Sequence, residues 1–418
     1  MITRGIASAS AELLARILAE AGAADAIMDR FFRAHPALGA RARGAIAETA
    51  YGCLRRYRLL AQIAANDDPR AVIAAYLARA GYSSRALATL ALPHDDALIR
   101  RARAPLSSWP PAVAASLPDW LYDRLSARLA PAELAALVAA LGEPAPLDVR
   151  VNTLKIDREG LRAALAADGH TLTATPWSPV GLRRSLRAPL FRTAAFQAGH
   201  FEVQDEGSQL IAPLLEPGRR DTVVDYCAGA GGKTLHLGAL MRNHGSLYAC
   251  DTSLKRLTRL RERVRRAGLD NVRIQALTGD DGSLARLANK VDRVLVDAPC
   301  SGSGTLRRSP DITWRLSEPR VADLARQALA ILTQAARLVR PGGRLVYATC
   351  SLLAEENEDV VQAFLAGDPR FTVRPVAPIL ERLQIRLPPG EGEALRLWPH
   401  IHATDGFFAQ VLERRDAA

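Results

Sequence analysis

From about Asp205 onward, short apolar runs that read as strands alternate with stretches of helical periodicity. This alternation is typical of stacked βαβ units, in which parallel strands are covered by helices. We therefore predict an α/β domain with a doubly wound, Rossmann-like sheet and helices on both of its faces. The predicted strands are Thr222–Tyr226, Ser246–Cys250, Val272–Leu277, Val291–Val296 and Arg344–Ala348.

Two cysteines come just after predicted strands. The segments are Asp297-Ala298-Pro299-Cys300-Ser301-Gly302 and Tyr347-Ala348-Thr349-Cys350-Ser351. A cysteine after a strand is more often a small buried hydrophobe than a reactive group. However, ligands and reacting groups converge at the carboxyl ends of parallel strands, so these two thiols and Asp297 are expected to share one crevice. That arrangement favours covalent chemistry on an electrophilic ring carbon.

A glycine-rich turn follows the first predicted strand and precedes a predicted helix that runs to about Met241. The turn reads Cys227-Ala228-Gly229-Ala230-Gly231-Gly232-Lys233-Thr234. Glycines let the backbone approach a ligand closely, and the helix start exposes amide groups. Asp251 ends the second strand, where a carboxylate can bind the two ribose hydroxyls. Asp280, or its neighbour Asp281, ends the third strand and suits an adenine edge.

Three types of cofactor compete for this turn. A Walker A loop needs a glycine at residue 227, which is Cys227, and a nicotinamide fingerprint needs a final glycine where Thr234 stands. A nucleoside cofactor without a pyrophosphate, such as S-adenosylmethionine, needs the two carboxylates but no full phosphate cradle. The turn therefore favours S-adenosyl-L-methionine.

The pattern divides the chain into three predicted regions. Residues 1–140 are Ala-rich with apolar residues at helical spacing, and the prolines in Ala104–Pro118 indicate a looser connection. Residues 141–204, which begin with a turn-rich stretch at 142–146, are predicted to be a small α+β RNA-binding subdomain. Its predicted elements are a strand at Leu147–Leu154 and a helix at Arg158–Ala167. Residues 205–418 form the predicted Rossmann-like domain.

The cysteines, the apolar runs and the net charge indicate the cellular compartment and the kind of binding partner. The five cysteines show no C-x-x-C spacing, and His400 and His402 have no accompanying ligands, so we expect reduced thiols and no metal. Neither a signal-peptide core nor a long apolar run is evident, which favours a cytoplasmic protein away from membranes. The net charge of +11 fits a polyanionic partner, although the charge is spread along an Arg-rich chain with only four lysines. We expect a monomer.

Several motifs, in order and over about residues 117–412, resemble those of the RNA cytosine-5 methyltransferases of the Sun (Fmu)/Nop class. Besides the glycine-rich turn and the two cysteine segments, they are Arg150-Val151-Asn152-Thr153-Leu154-Lys155, Gln204-Asp205-Glu206-Gly207-Ser208-Gln209, Arg307-Arg308-Ser309-Pro310-Asp311 and Asp405-Gly406-Phe407-Phe408. Bacterial members often carry an N-terminal NusB-like RNA-binding domain, which residues 1–140 resemble at Ala50–Arg56. The turn departs from many relatives by having Gly229-Ala230 where they have Ala-Pro.

The resemblance implies a class I methyltransferase fold and assigns roles to the site residues. Cys350 would be the nucleophile, Asp297 the partner of the ring nitrogen, and Cys300 an aid to breakdown of the adduct. The residues alone do not rank the two thiols, because DNA cytosine-5 enzymes use a Pro-Cys cysteine similar to Pro299-Cys300. The cofactor would be held by Cys227, Ala228, Gly229, Ala230, Gly231, Gly232, Lys233, Asp251, Asp280 and Asp297.

The base must reach such a pocket unstacked, from single-stranded or looped RNA. We expect RNA contacts from Arg150, Asn152, Lys155, Arg307 and Arg308, for which solvated surface charge is the competing interpretation. The predicted function is methylation of carbon 5 of a cytosine in ribosomal RNA. Transfer RNA as substrate and a non-catalytic RNA-binding ribosome assembly factor are the alternatives, and a nicotinamide oxidoreductase is a third.

Overall fold

The computed structural model describes residues 2–184, 189–277, 282–388 and 392–416. The chain forms two compact units. One contains residues 1–144 together with Thr305–Ser317, and the other contains residues 145–304 and 318–418. The segment Thr305–Ser317 is therefore far from the rest of its unit in sequence.

The first unit is helical. Its helices are α1 (Arg4–Ala19), α2 (Ala24–Ala34), α3 (Ala40–Arg55), α4 (Tyr57–Ala64), α5 (Pro69–Arg79), α6 (Ser84–Thr89), α7 (Asp96–Arg103), α8 (Pro111–Ala114), α9 (Asp119–Ser126) and α10 (Pro131–Leu141). The apolar stripe of α1, with Leu13, Leu14 and Ile17, is buried in the core as its spacing predicts. A 3-10 turn at Leu106–Ser108 and the four-residue α8 occupy the proline-rich connection.

The distant segment Thr305–Ser317 packs into this helical unit through a 3-10 turn at Pro310–Trp314. Asp311 Oδ2 accepts a hydrogen bond of 3.2 Å from the backbone amide of Ala24, the first residue of α2. The ring of Trp314 contacts that of Tyr57 edge to face at 5.1 Å. One carboxylate thus accepts from the start of a helix that lies 287 residues away in sequence.

The second unit begins with a small α+β part. Strands β1 (Leu147–Val151), β2 (Thr173–Ala174), β3 (Gly181–Arg184) and β4 (Phe201–Val203) form an antiparallel sheet in the order β2-β3-β1-β4. Helices α11 (Arg158–Ala167) and α12 (Ala194–Gln197) accompany it, with a 3-10 turn at Leu190–Arg192. Asp157 accepts from the amide of Gly160 at 2.7 Å, which caps α11 and fixes its first residue.

A larger sheet follows in the order β10-β12-β9-β8-β5-β6-β7, with β11 paired to β12. The strands are β5 (Thr222–Asp225), β6 (Ser246–Asp251), β7 (Val272–Ala276), β8 (Val291–Asp297), β9 (Val339–Thr349), β10 (Phe371–Arg374), β11 (Ala394–Leu397) and β12 (Phe407–Arg414). Strands β5 to β9 pair in parallel, whereas β10, β11 and β12 pair antiparallel at one side. The predicted parallel core of the sheet is confirmed.

Helices cover both faces of this sheet. They are α13 (Glu206–Gln209), α14 (Gly232–Leu240), α15 (Leu254–Ala267), α16 (Gly282–Ala285), α17 (Glu318–Ala336), α18 (Glu358–Gly367), α19 (Ala377–Arg382) and α20 (Pro399–His402), with 3-10 turns at Ala212–Leu215, Ser303–Thr305 and Ala354–Glu356. Successive strand residues face opposite sides. Val224 packs with Leu332 of α17, and the adjacent Val223 packs with Leu237 of α14. The doubly wound architecture follows.

Within the described part of the chain, none of the helices combines the length and the apolar character needed to cross a lipid bilayer.

Candidate active site

Four neighbouring strands bring their carboxyl ends to one cavity. In the order β9-β8-β5-β6, they end at Thr349, Asp297, Asp225 and Asp251. The cavity measures about 660 Å³. Residues predicted for the site that line it are Cys227, Ala228, Gly229, Ala230, Gly232, Lys233, Asp251, Asp297, Cys300 and Cys350. The two cysteine segments and the glycine-rich turn therefore meet as their strand-end positions predict.

The glycine-rich turn is held by its own backbone and by Asp251. Gly229 and Gly231 have φ angles of +56° and +92°, a region that favours glycine. A Cβ on Gly231 would lie 2.1 Å from Leu260 Cδ1, so no side chain fits there. Asp251 accepts hydrogen bonds from the amides of Gly229 at 2.9 Å and Ser253 at 2.7 Å. The carboxylate expected to bind a ribose also fixes the turn beside it.

An ion pair joins the turn to the end of β8. Lys233 Nζ, on the first turn of α14, lies 2.6 Å from Asp297 Oδ2. Both side chains line the cavity, and the Asp297 side chain, 30% exposed, is more accessible than that of Lys233, which is 9% exposed. Lys233 also lies 5.5 Å from the centre of the Phe407 ring. The motif containing Phe407 therefore supports this pair.

The two predicted catalytic thiols are neighbours. Cys300 Sγ and Cys350 Sγ are 3.5 Å apart, and both line the cavity. The loops that carry them are joined by a 2.9 Å hydrogen bond from the Gly304 amide to the Cys350 carbonyl. The hydrogen bond with Cys350, and then burial, raise the pKa of the Cys300 thiol well above its ordinary value. The raised pKa favours the protonated form of Cys300, and its thiol lies within hydrogen-bond reach of the sulfur of Cys350.

Asp225 also lines the cavity, although its motif was noted in the sequence without a role being assigned to it. Burial raises the pKa of its carboxyl from 3.8 to about 7. Thr234 Oγ1 donates to Asp225 Oδ2 at 2.7 Å, while Oδ1 is buried with no hydrogen-bond partner among the described residues. Burial likewise raises the pKa of Cys227, which keeps that thiol neutral. Its position at the end of β5, just before the glycine-rich turn, could have indicated that Asp225 belongs to the site.

Exposed arginines of α15 border the cavity and were also missed. Arg256 and Arg259 line its edge. Arg263 lines it as well but is paired with Glu202 at 2.9 Å. The arginine-rich helix Leu254–Ala267 could have indicated these residues, but its positive charge does not stand out in a chain whose net charge is +11. Asp280 and Asp281, predicted for the adenine edge, lie outside the described residues.

Two residues expected to contact RNA are instead buried within the second unit. Arg150 is 3% exposed and donates to the carbonyl oxygen of Gly232 at 2.6 Å and to the side chain of Gln204. Burial lowers its pKa to about 9. Asn152 is 8% exposed and donates to the carbonyl oxygens of Gly199 and Ala267, each at 2.9 Å. These side chains join the small sheet to the start of α14 and the end of α15.

The other three expected RNA contacts are placed differently. Lys155 is an exposed residue, but its Nζ donates to the carbonyl oxygens of Ala198 at 2.7 Å and Arg266 at 2.8 Å. Arg307 and Arg308 belong to the segment Thr305–Ser317 of the helical unit. Arg307 is 5% exposed, and its carbonyl oxygen accepts from Arg55 Nε at 3.1 Å. The motif residues with positive charge are thus largely used within the fold.

Comparison with known proteins identifies the family. A family model described as 16S rRNA methyltransferase RsmB/F matches residues 212–413, and an RsmF/B-like ferredoxin-like domain matches residues 117–189. Over 310 residues, the chain is 35% identical to a probable ribosomal RNA small subunit methyltransferase B from Synechocystis sp., which covers 72% of this chain and 67% of that protein. The chain belongs to the RsmB/F family of ribosomal RNA methyltransferases. The resemblance seen in the motifs is confirmed.

Other similarities extend the comparison beyond the RsmB/F proteins. The chain is 33% identical over 295 residues to the 26S rRNA (cytosine-C(5))-methyltransferase nsun-1 of Caenorhabditis elegans, covering 68% of this chain and 44% of that protein. The crystal structure of PH0851 matches with a TM-score of 0.80 and 27% identity, over 99% of both chains. Against two further curated RsmB relatives, the match spans 60% and 58% of their length.

Proposed function

We propose that this chain transfers a methyl group from S-adenosylmethionine to carbon 5 of a cytosine in ribosomal RNA, through a covalent adduct with Cys350. The observation that carries the proposal is the pair of sulfurs, Cys300 and Cys350, 3.5 Å apart in the cavity that also contains the glycine-rich turn. Membership of the RsmB/F family supports methyl transfer to ribosomal RNA. The cytosine-C(5) activity in the name of the nematode relative supports the position on the base.

The cavity fits the cofactor by its chemistry. Asp251 stands at the end of β6, and the turn lines the cavity at Gly229 and Gly232, where no side chain stands between the backbone and a ligand. The start of α14 at Gly232 offers backbone amides without the phosphate cradle that a Walker A loop would provide. S-adenosylmethionine would supply an electrophilic methyl group on a sulfonium. The residues that would hold it are Asp251, the turn residues 227–233 and Asp297, which is paired with Lys233.

Cys350 begins the reaction. Carbon 5 of cytosine is a weak nucleophile while the ring remains aromatic. Cys350 Sγ forms a bond to carbon 6 as its S–H bond breaks, the ring electrons move toward carbon 5 and ring nitrogen 3, and the proton given up by the thiol is balanced by the proton that this nitrogen takes up. Such a covalent intermediate divides one difficult step into two easier ones. Asp297, held by Lys233, is the group available to orient that protonated edge.

Carbon 5 is then nucleophilic enough to accept the methyl group that S-adenosylmethionine would supply, and the cofactor would leave as a neutral thioether. Carbon 5 now carries both a methyl group and its original proton. A base removes that proton, the electron pair of the C–H bond restores the double bond between carbons 5 and 6, and the bond between Cys350 Sγ and carbon 6 breaks. Ring nitrogen 3 releases its proton and Cys350 Sγ regains one, which regenerates the thiol. Cys300 is our candidate for assisting this last step, because its sulfur lies beside that of Cys350.

The decisive experiment measures transfer of a labelled methyl group to RNA and maps the product. We expect the purified protein to label ribosomal RNA, and we expect bisulfite sequencing of total RNA to lose one protected cytosine when the gene is deleted. If the cytosine that loses protection lies in a transfer RNA, the substrate is a transfer RNA and not ribosomal RNA. Protection unchanged at every site, with no label transferred to naked RNA or to ribosomal subunit precursors, would favour a non-catalytic assembly factor.

The matched variant is Cys350→Ala. We expect it to lose labelled transfer while its affinity for S-adenosylmethionine, measured by calorimetry, stays near that of the wild type. The reason is that the thiol contributes to the adduct and not to the glycine-rich turn. Retained turnover in this variant would show that another group, with Cys300 the first choice, attacks the base.

A further inference from the structure

A buried carboxylate lies between the two cysteine loops. Glu356 is 1% exposed and is not among the residues that line the cavity. Its Oε1 accepts from the Ser301 amide at 2.6 Å, and its Oε2 accepts from Ser301 Oγ and Ser351 Oγ, each at 2.5 Å. Ser301 follows Cys300, and Ser351 follows Cys350. One side chain therefore binds the residue next to each sulfur.

The hydrogen bonds around Glu356 form a network with Ser301, Ser303 and Ser351. Burial raises the pKa of the Glu356 carboxyl, and the hydrogen bonds from Ser301 and Ser351 oppose that shift by favouring the charged form. Three donors point at its two oxygens, which accept. Ser303 Oγ lies 3.1 Å from both serine hydroxyls and accepts from the Leu352 amide at 2.9 Å, so it extends the set to a third loop residue. Hydrogen bonds to a charged acceptor are roughly twice as strong as neutral ones. Their loss would leave a charge buried without compensation.

The backbone of Glu356 and its neighbour Asn357 are held by further hydrogen bonds. Tyr347 Oη donates to the Glu356 carbonyl oxygen at 2.5 Å, and the next residue, Asn357, donates from Nδ2 to the Ser351 carbonyl oxygen at 3.0 Å. Thr349 Oγ1 also bonds to the Asn357 side chain. The Cys350 loop is therefore anchored to residues 356 and 357 on its own side, and Glu356 extends that anchor to the Cys300 loop.

We propose that Glu356 is a positioning residue, which holds the two cysteine loops so that their sulfurs lie side by side in the cavity. Its catalytic consequence rests on the proposed function: Cys350 would bond to carbon 6, Cys300 would assist release of that sulfur, and this assistance requires the two sulfurs at a fixed, short separation. Glu356 acts through Ser301 and Ser351 and does not touch the base.

The first test compares Glu356→Gln with Asp359→Asn, the same loss of charge at an exposed residue three positions along the chain. Misplacement of reacting groups by about 1 Å costs roughly 100-fold in rate. We expect Glu356→Gln to lower kcat by about that factor, with the KM for RNA and the affinity for S-adenosylmethionine unchanged. Asp359→Asn should behave as the wild type.

The second test measures the sulfur pair without any turnover. Diamide takes two protons and two electrons from Cys300 and Cys350, is reduced to its hydrazine, and leaves a disulfide that peptide mass spectrometry detects. We expect Glu356→Gln to form this disulfide at least several-fold more slowly than the wild type and Asp359→Asn. Cross-linking and kcat both equal to the wild type would overturn the proposal.

Ser351→Ala keeps the carboxylate and removes one donor, so it answers the same question if Glu356→Gln does not fold, as judged by circular dichroism. Slower cross-linking in Ser351→Ala would again support the proposal, and a wild-type rate would refute it. If the wild type methylates no cytosine, the proposed function fails. The cross-linking rates then still decide whether Glu356 sets the separation of the sulfurs.

Discussion

Lys233 Nζ and Asp297 Oδ2 form an ion pair of 2.6 Å that joins the first turn of α14 to the last residue of β8. The Asp297 carboxylate is the more accessible partner, and the ammonium of Lys233 balances its negative charge. The glycine-rich turn and the base-binding side of the site therefore share one electrostatic contact.

Lys233→Met tests this contact. The substitution keeps the length of the side chain but leaves Asp297 without its counter-charge, so the carboxylate loses its fixed orientation. We expect kcat/KM for methyl transfer to fall by at least about 100-fold, the scale of a lost acid–base group. Lys255→Met, at an exposed position of α15, is the control and should retain wild-type kcat/KM. Equal values for both variants would remove the pair from the mechanism.

Cys300→Ala is expected to accumulate the covalent protein–RNA adduct. If Cys300 assists the last step, the adduct forms through Cys350 but breaks down slowly, and a band of protein plus RNA survives a denaturing gel. The double variant Cys300→Ala/Cys350→Ala should show no such band. Free RNA with normal turnover in the single variant would exclude Cys300 from the reaction.

Asp225 predicts a pH dependence of stability. Its pKa is raised from 3.8 to about 7 in the folded protein. The protonated form is therefore favoured by folding, and its contribution is full below about pH 4 and lost as the pH rises through about 7. Asn is neutral throughout, so Asp225→Asn should gain roughly 2–3 kcal/mol relative to the wild type between about pH 5 and about pH 8. Urea unfolding at the two pH values measures this difference, and a constant difference would contradict the assignment.

Gly231→Ala should destabilise the fold, whereas the same change at the next residue should not. At Gly231 the φ angle of +92° is unfavourable for alanine, and the new Cβ would lie 2.1 Å from Leu260 Cδ1. A Cβ at Gly232 meets its nearest atom at 3.7 Å, which is ordinary contact. We expect Gly231→Ala to lower the free energy of unfolding by about 2 kcal/mol. A loss of similar size in Gly232→Ala would point instead to the helix start as a whole.

The sequence predicted the elements whose cause is local. Helix α11 begins and ends where predicted, since Asp157 supplies its cap and the apolar residues keep helical spacing. The strands β5, β6, β8 and β9 were recognised because buried apolar residues dominate them. Strand β7, at the end of the sheet, is only partly buried and was recognised from its alternation of apolar and polar residues. The meeting of Cys300 and Cys350 followed from the rule that parallel strands end on one side.

Long-range contacts were beyond the sequence. Arg150 looks the same in sequence whether it faces RNA or the carbonyl oxygen of Gly232, which lies 82 residues away. Glu356 becomes significant only through Ser301, 55 residues away. Similarly, nothing local in Asp311 indicates that it caps helix α2. Predicting such roles requires knowing which loops meet, and apolar periodicity does not encode that.

The chain passes between the two units three times, because Thr305–Ser317 leaves the catalytic unit just after the Cys300 loop and joins the helical one. A clone that starts after residue 144 would strip Trp314 and Asp311 of the helices they pack against. Efforts to produce a minimal enzyme should therefore replace this segment by a short polar linker, or keep the whole polypeptide intact.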